Sequence, residues 1–388
     1  MLSALRLIPF ASARLRIAMA LCLGACLCAA TQAQESPAKP SRTGTKAQGK
    51  STQPSKPAKA GAKKAAAPAP VSVPVDPDAP VVAPLEAPEP RISVTVPESE
   101  VFQARPVAGW AEAQIVLSRL GFSCGSIDGI GGAQSVSALR AFQRVAGLRE
   151  SGVLDEATAA ALTLESEPFG VVIVRQEDLD ALQRTGKTWL EKSEQSALAH
   201  ESILEAVAEA SHAHPAFVKR LNPGFDWEQV AAGARIKVPS VEVRAYETQA
   251  VRLQIRLAER VLEAFDAAGA VIAHFPVSIA KRVEKRPQGE LQVKVVIRNP
   301  DYTVDPAVMA ESAEMQALGR KLILKPGPNN PVGVAWIGLD LPGYGIHGTP
   351  TPEHVGRTES HGCFRLANWD ARTLLDLVMV GTPVEVLP

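Results

Sequence analysis

The sequence predicts a multidomain α+β protein: a small three-helix domain, then an α/β module, then a mostly β domain of the β-sandwich kind, all behind an unpacked front segment. Three observations predict it. Between Trp110 and Leu162 the apolar residues recur with a helical rhythm broken by glycine-rich turns. From about Val243 the rhythm changes to alternation, as in Val251–Leu257 and Gly289–Val295, the pattern of half-buried strands. Before Pro106 the chain is proline, alanine, lysine, serine and valine with almost no aromatic residue, so it lacks the apolar surface needed to offset chain entropy. At roughly 100–200 residues per domain, 388 residues accommodate two or three domains.

Composition excludes several classes of function. Lys and Arg total 41 and so do Asp and Glu, so there is no basic excess for a dedicated nucleic-acid partner. Five cysteines in a chain of this length exclude a small disulfide-stapled scaffold. Residues 1–33 read as a signal peptide: Arg6, Arg14 and Arg16 precede an uncharged apolar run from Ile17 to Ala30, and small residues follow at Thr31-Gln32-Ala33. The run is shorter than the ~20 residues of a bilayer-spanning helix. An exported protein of the periplasm and cell wall is expected, with membrane attachment only if Cys26, in the lipobox-like Leu23-Gly24-Ala25-Cys26, is lipidated. Residues 34–107 read as a disordered linker; its lysines serve solubility or a loose attraction to an anionic wall or membrane surface. Removal of the leader leaves Cys124 and Cys363, and each thiol needs a reason to persist where thiols oxidise.

Residues 108–165 contain Leu120-Gly121, the turn Asp128-Gly129-Ile130-Gly131-Gly132, a helix from Ser135 to Val145 with Ala138-Leu139-Arg140-Ala141-Phe142-Gln143, and the turn Gly152 to Thr158 in which Asp155 is placed as a helix cap. In that order and spacing they resemble the bacterial peptidoglycan-binding domain. Gly131 departs from it, since an aromatic residue usually follows that turn. Cys124, just before the turn, reads as a structural thiol. Residues 169–240 carry an amphipathic stretch Glu201–Ala210, a second helix stopped by Leu221-Asn222-Pro223-Gly224, and the strand-like ending Ala232 to Pro239. This resembles a LysM module, a glycan-binding fold of two helices on a two-stranded sheet. His212 and His214, two apart, do not share a helix face, which favours surface or capping roles over a metal pair.

Residues 243–388 are read as the domain that carries chemistry. Hairpin strands Val261–Phe265 and Val271–Phe275 flank Asp266-Ala267-Ala268-Gly269. Further strands are expected at Val334–Leu341, Tyr344–His347 and Val384–Leu387, and helices only at Met309–Leu318 and Asn368–Val380. The informative residues are Gly345-Ile346-His347-Gly348-Thr349 and Ser360-His361-Gly362-Cys363-Phe364-Arg365-Leu366-Ala367-Asn368, with His347 and Cys363 sixteen positions apart. A histidine at a strand end and a cysteine on a glycine-containing turn meet the needs of thiol nucleophilic catalysis: an imidazole to take the proton and backbone amides to hold an oxyanion. Two other readings compete. His347, His354, His361 and Cys363 are possible zinc ligands, although the prolines between them deny the spacing any helical meaning, and Cys363 could pair with Cys124.

The two segments, with the upstream landmarks Phe275-Pro276-Val277-Ser278-Ile279, Asn299-Pro300-Asp301-Tyr302 and Gly327 to Gly333, resemble the YkuD-type L,D-transpeptidases over essentially the whole C-terminal domain. The segment Lys281-Arg282-Val283-Glu284-Lys285-Arg286 is more basic than is usual there. The resemblance implies that Cys363 attacks the diaminopimelate carbonyl of a peptidoglycan tetrapeptide stem and expels D-alanine. His347 is implied as the base, with the Gly348 carbonyl holding its ring and the backbone of His361, Gly362 and Cys363 holding the oxyanion. Arg365 and Tyr302 are implied as substrate contacts, Arg365 alternatively as half of a buried ion pair. Ser360 is implied as a further substrate contact that also supports the turn, and Asn368 is structural near the site, most simply as a helix cap. The His361 side chain is read as a structural or substrate contact. No metal or organic cofactor is implied. The partners are peptidoglycan and, where a protein is the acyl acceptor, an anchored protein. A hydrolase on the same scaffold and a non-catalytic wall-binding scaffold are the alternatives.

Overall fold

The computed structural model describes residues 92–96, 102–241, 246, 248–357 and 362–388. The expected signal peptide, Cys26 and most of the expected linker lie outside the described residues, as do Ser360 and His361. The described end of that linker is not without structure, since Val94–Thr95 and Arg105–Pro106 pair as strands with Val171–Val172 and Thr163–Leu164. In chain order the elements are β1 (Val94–Thr95), β2 (Arg105–Pro106), α1 (Trp110–Arg119), α2 (Ala133–Val145), α3 (Glu156–Ala161), β3 (Thr163–Leu164), β4 (Phe169–Ile173), α4 (Gln176–Asp180), α5 (Trp189–Glu194), α6 (Ile203–Ala210), α7 (Pro215–Leu221) and β5 (Arg235–Pro239). There follow β6 (Arg252–Arg256), β7 (Val261–Phe265), β8 (Val271–Pro276), β9 (Gly289–Arg298), β10 (Tyr302–Val304), α8 (Ala313–Leu318), β11 (Leu322–Leu324), β12 (Ala335–Leu339), β13 (Gly345–His347), β14 (Phe364–Arg365), α9 (Asn368–Leu377) and β15 (Pro383–Leu387). Among the described residues no helix is long and apolar enough to cross a membrane.

α1, α2 and α3 pack as a helical domain around Leu117, Leu139, Phe142 and Leu162. Two buried glutamines explain its turns. Gln114 accepts from the Gly129 amide at 2.7 Å and donates to Ser135 Oγ at 2.9 Å, which closes the Asp-Gly turn. Gln143 accepts from the Gly152 amide at 2.8 Å and donates to Thr158 Oγ1 at 2.9 Å, which closes the second. Asp155 caps α3 by accepting from the Thr158 amide at 2.9 Å. Gly131 has its physical reason in Trp110, whose indole occupies the space where a β-carbon on residue 131 would stand. Cys124 is buried in this core.

In the second module β1, β4 and β5 form a three-stranded antiparallel sheet in that order. Val172, Ile236 and Val238 face Val207 and Val218 on α6 and α7. Asn222 closes the end of α7: its Nδ2 donates to the Val218 carbonyl, and its amide pairs with both backbone groups of Lys237, each at 2.8 Å. The third strand, and the helices α4 and α5 inserted between β4 and α6, go beyond the two-helix, two-strand arrangement expected. His214 caps α7, its Nδ1 accepting from the Ala216 amide at 3.1 Å. His212 is not simply on the surface: its half-buried ring stacks on Trp369 of α9 at 5.1 Å, and Nδ1 lies 3.3 Å from Ser118 Oγ of α1.

The C-terminal domain is mostly β. Its eight-stranded sheet runs β14-β13-β12-β9-β15-β6-β7-β8. The sheet curls because β9 serves two neighbours: Gly289–Gln292 pairs with β15 and Val293–Arg298 with β12. The core therefore collects side chains from both halves, with Leu253, Leu262 and Phe275 from one, Ile337, Ile346 and Phe364 from the other, and Leu374 and Leu377 from α9. Reciprocal backbone hydrogen bonds of 2.9 and 3.0 Å between Ser278 and Arg365 join the chain just beyond β8 to β14 and bring the two ends of the sheet together. Along the edge of β8 that faces away from β7, residues 121–123 of the helical domain run alongside it, through Ser123 N–H to His274 O at 2.8 Å and His274 N–H to Gly121 O at 2.9 Å. Buried Glu263 braces this contact, meeting Arg144 of α2 at 2.6 Å, Arg256 at 2.8 Å and His274 at 3.1 Å. Burial alone would raise its carboxyl, but the hydrogen bonds from His274 and Arg256 hold it far below the usual carboxylate range.

The expected strands are present to within one or two residues, except that β9 runs three residues beyond the expected Val295, and the Asp266 hairpin closes with Asp266 Oδ1 accepting from the amides of Ala268 and Ala270. The helix expected over Met309–Leu318 is shorter, Ala313–Leu318. Asp305 holds the preceding residues in a turn, and Ser312 caps from inside the expected span by accepting from the Met315 amide. α9 ends at Leu377, three residues short of the expected Val380.

Candidate active site

β13 and β14 are parallel neighbours, with Ile346 beside Phe364 and His347 beside Arg365. Side chains alternate across a sheet, so one face receives Ile346 and Phe364, both essentially inaccessible and part of the main core. His347 and Arg365 project from the opposite face, and Cys363, two residues before Arg365, starts on that side at the turn leading into β14. Parallel strands need a crossover, supplied here by the segment from Gly348 to Gly362 with a short 3-10 turn at Pro352–His354. The crossover is why residues eighteen apart in sequence, His347 and Arg365, become lateral neighbours, with Cys363 two residues before Arg365 at the entry to β14.

The His347 ring is fixed on two sides. It stacks on Trp336, its cross-strand neighbour on β12, with centroids 5.7 Å apart, and Nδ1 lies 2.6 Å from the Gly348 carbonyl oxygen. That oxygen only accepts, so Nδ1 carries the proton and the neutral ring keeps its lone pair on Nε2. Burial, with the charge of Arg365, pushes His347 down to about 3 against the pull of the Gly348 carbonyl. The ring is neutral at pH 7 and able to accept a proton.

Cys363 is partly buried against the cluster that contains Tyr302, Trp336, Val332 and Leu324. Its Sγ lies 3.5 Å from the Gly343 carbonyl oxygen, in position to donate. Burial pushes the thiol up to about 11, with the Gly345 backbone and Arg365 acting in the opposite direction. Neither Cys363 nor Cys124 is in a disulfide, which removes the pairing considered from the sequence. Burial raises Cys124 as well, and still further. Among the described residues no group of three or more His, Cys, Asp or Glu is arranged to hold a metal ion.

Arg365 is half-buried, and no acidic partner faces it among the described residues; its Nε is buried without a hydrogen bond. The buried ion pair considered for it is therefore not found. Burial lowers its pKa, while Cys363 and Tyr302 act to raise it. Tyr302 is buried on β10, its hydroxyl raised first by burial and then by the proximity of Cys363. Asn368 is not the cap of α9: Ala367 holds that position, and Asn368, the first helical residue, turns its side chain oxygen to the Thr349 amide at 3.0 Å. Gly362 opens the turn at Cys363, and among the described residues a β-carbon there would touch the Tyr344 ring alone. Ser360 and His361 lie outside the described residues, so only Gly362 and Cys363 of the expected oxyanion amides are described.

Sequence reasoning missed three contributors. Trp336 is found only through strand register, which sets it beside His347. Gly343 acts through its carbonyl oxygen, which has no side-chain signature. Tyr344 lies close enough to Cys363 for the sulfur to raise its hydroxyl, after burial; its place two residues before Ile346 was the available signal.

Residues 250–386 match the family model described as "L,D-transpeptidase catalytic domain", and residues 107–162 match one described as "Putative peptidoglycan binding domain". A "Putative L,D-transpeptidase YkuD" of Bacillus licheniformis is 27% identical over 185 residues, 48% of this chain and 93% of that protein. A "Putative L,D-transpeptidase YqjB" of Bacillus subtilis is 35% identical over 117 residues, 29% of this chain and 57% of that protein. A "Probable L,D-transpeptidase ErfK/SrfK" of Escherichia coli is 29% identical over 171 residues, 43% of this chain and 53% of that protein. The chain thus spans nearly all of the first relative and little more than half of the other two.

Proposed function

We propose that this chain, whose residues 250–386 are an L,D-transpeptidase catalytic domain behind a peptidoglycan-binding domain, is a peptidoglycan L,D-transpeptidase that uses Cys363 as nucleophile and His347 as base. The observation that carries the assignment of roles is the shared face: His347 and Arg365 project from one side of β13 and β14 with Cys363 at the turn on that side, the Arg365 Nε is buried without a hydrogen bond among the described residues, and the imidazole is locked in the tautomer that leaves Nε2 available.

Both groups are neutral at rest, so the thiol gives up its proton as it attacks and not before. Sγ bonds to the carbonyl carbon of the diaminopimelate residue of a tetrapeptide stem while its proton passes to His347 Nε2. The resulting oxyanion is held by backbone amides at the turn of Gly362 and Cys363, with His361 completing the set. Collapse breaks the C–N bond, and the imidazolium proton leaves on the D-alanine amine. An acceptor amine then attacks the thioester, gives its proton to His347, and the released sulfur takes that proton back. Arg365 pairs with a stem carboxylate, for which a guanidinium fork is suited, and Tyr302 lines the same face. Ser360 supports the turn.

The front of the chain fits this reading. The leader exports the protein to the periplasm and cell wall, Cys26 is the lipidation point if the chain is anchored, and residues 169–240 act as a LysM-like glycan-binding module. An amine on a second stem gives a cross-link; an amine on a protein gives anchoring. The test is incubation of the purified chain with tetrapeptide muropeptides, with products read by mass. Cross-linked dimers are expected. Tripeptides alone would make the protein a hydrolase, and unchanged substrate would make it a binding scaffold.

A further inference from the structure

The crossover between base and nucleophile is held from outside the catalytic domain. Thr349, the second residue after His347, donates its amide to Asn368 Oδ1 at 3.0 Å. Asn368 is buried, and its Nδ2 carries two hydrogens with two acceptors: the Pro328 carbonyl at 3.2 Å and Glu209 Oε2 at 3.0 Å. Glu209 is on α6, in the second front module, well outside residues 250–386. This set of partners fixes the amide in one orientation. The Thr349 N–H can only donate, so the oxygen must face it; a carboxylate and a carbonyl can only accept, so the nitrogen must face them. Gly333 and Gly348 make room for that oxygen, since a β-carbon on either would run into Asn368 Oδ1.

We propose that Glu209 is a positioning residue of the active site, acting through Asn368 to fix the backbone of Gly348 and Thr349 and thereby the ring of His347. The proposal rests on the transfer reading above and extends it: the catalytic machinery includes a residue of the second front module. Glu209 touches neither the reacting atoms nor His347. Its carboxylate holds Asn368, Asn368 holds Thr349, and the preceding carbonyl, of Gly348, holds His347 Nδ1 at 2.6 Å. His200 Nε2 lies 3.7 Å from the same carboxylate oxygen, beyond hydrogen-bond reach, so Asn368 is the group that carboxylate oxygen serves. Loss of the carboxylate leaves one Nδ2 hydrogen of a buried amide without a partner and frees the amide to turn. The Thr349 amide then loses its acceptor, and the base loses its reference position.

The experiment uses the full chain with Glu209→Ala and Glu209→Gln. Three quantities are read: hydrogen exchange of the Thr349 amide, the rate at which a carbapenem acylates Cys363 by mass, and kcat and KM for stem transfer. Glu209→Ala is expected to speed Thr349 exchange at least tenfold and to lower acylation and kcat by about ten- to hundredfold, with KM within about twofold, as a misplaced base requires. Glu209→Gln, whose amide oxygen still accepts from Asn368, is expected to restore all three. The proposal is overturned if Glu209→Ala leaves Thr349 exchange unchanged, if exchange rises equally throughout α9 and the sheet, or if Gln is as damaging as Ala. A wild-type chain that neither transfers nor is acylated would sink the transfer reading, while Thr349 exchange would still decide the role of Glu209.

Discussion

The two faces of β13 and β14 differ by a step of one residue and by everything else. Ile346 and Phe364 enter a core built from both halves of the curled sheet, where only volume and apolarity matter. His347, Arg365 and Cys363, their immediate neighbours in sequence, face a cluster in which tautomer, charge and hydrogen-bond direction are specified. Register is thus the joint between stability and chemistry here: a slip of one residue would turn the imidazole into the apolar core and Phe364 onto the face of Trp336.

The comparison can be broken most severely on the chemical face. Cys363→Ala is expected to reduce transfer at least about a thousandfold while leaving thermal unfolding within a degree or two, since a covalent step has no substitute. The same sulfur gives a test by pH. Its thiol is pushed up to about 11 and His347 down to about 3, so the resting pair is neutral. Iodoacetamide alkylation of Cys363 should therefore climb about tenfold per pH unit from 6 to 9, as the thiolate fraction does. A plateau across that range would mean a preformed imidazolium–thiolate pair. On the other face, Phe364→Ala should cost about 3–5 kcal/mol in urea unfolding, the usual result of emptying a buried aromatic site, with kcat per folded molecule changed far less. Arg365→Ala should raise KM about tenfold for stems with a free carboxylate and less for amidated stems, since a hydrogen bond to a charged group is worth about 1.5–3 kcal/mol. The smallest effect is expected at Cys124→Ala, in the helical domain: transfer within about twofold and a stability loss of about 1 kcal/mol.

Much of this fold is legible because the informative signals are local. Alternation located β6 and β9, short apolar runs marked β12, β13 and β15, and Asp266 to Gly269 announced the hairpin of β7 and β8. Asp155 advertised the start of α3 by residue type alone. Failures occurred where two local signals competed or where the partner was remote. Ser312 outcompeted Met309 as a helix start, because a hydroxyl that accepts from the third amide offers what an apolar residue does not. Asn368 looks like a helix cap in sequence, yet its partners are 19, 40 and 159 positions away. For the site, the motif pointed to His347, Cys363 and Arg365, but no pattern along the chain announces that Trp336 stacks on His347 or that the carbonyl of Gly343 faces the Cys363 sulfur.

The helical domain does more for β8 than dock against it. With Gly121 to Ser123 in place, the last strand of the curled sheet has its outward backbone groups at His274 satisfied by the same chain. A fragment trimmed to residue 250 would leave that strand as an open edge, ready to pair with the equivalent edge of another copy, and would be exposed to self-association before any measurement of its activity began.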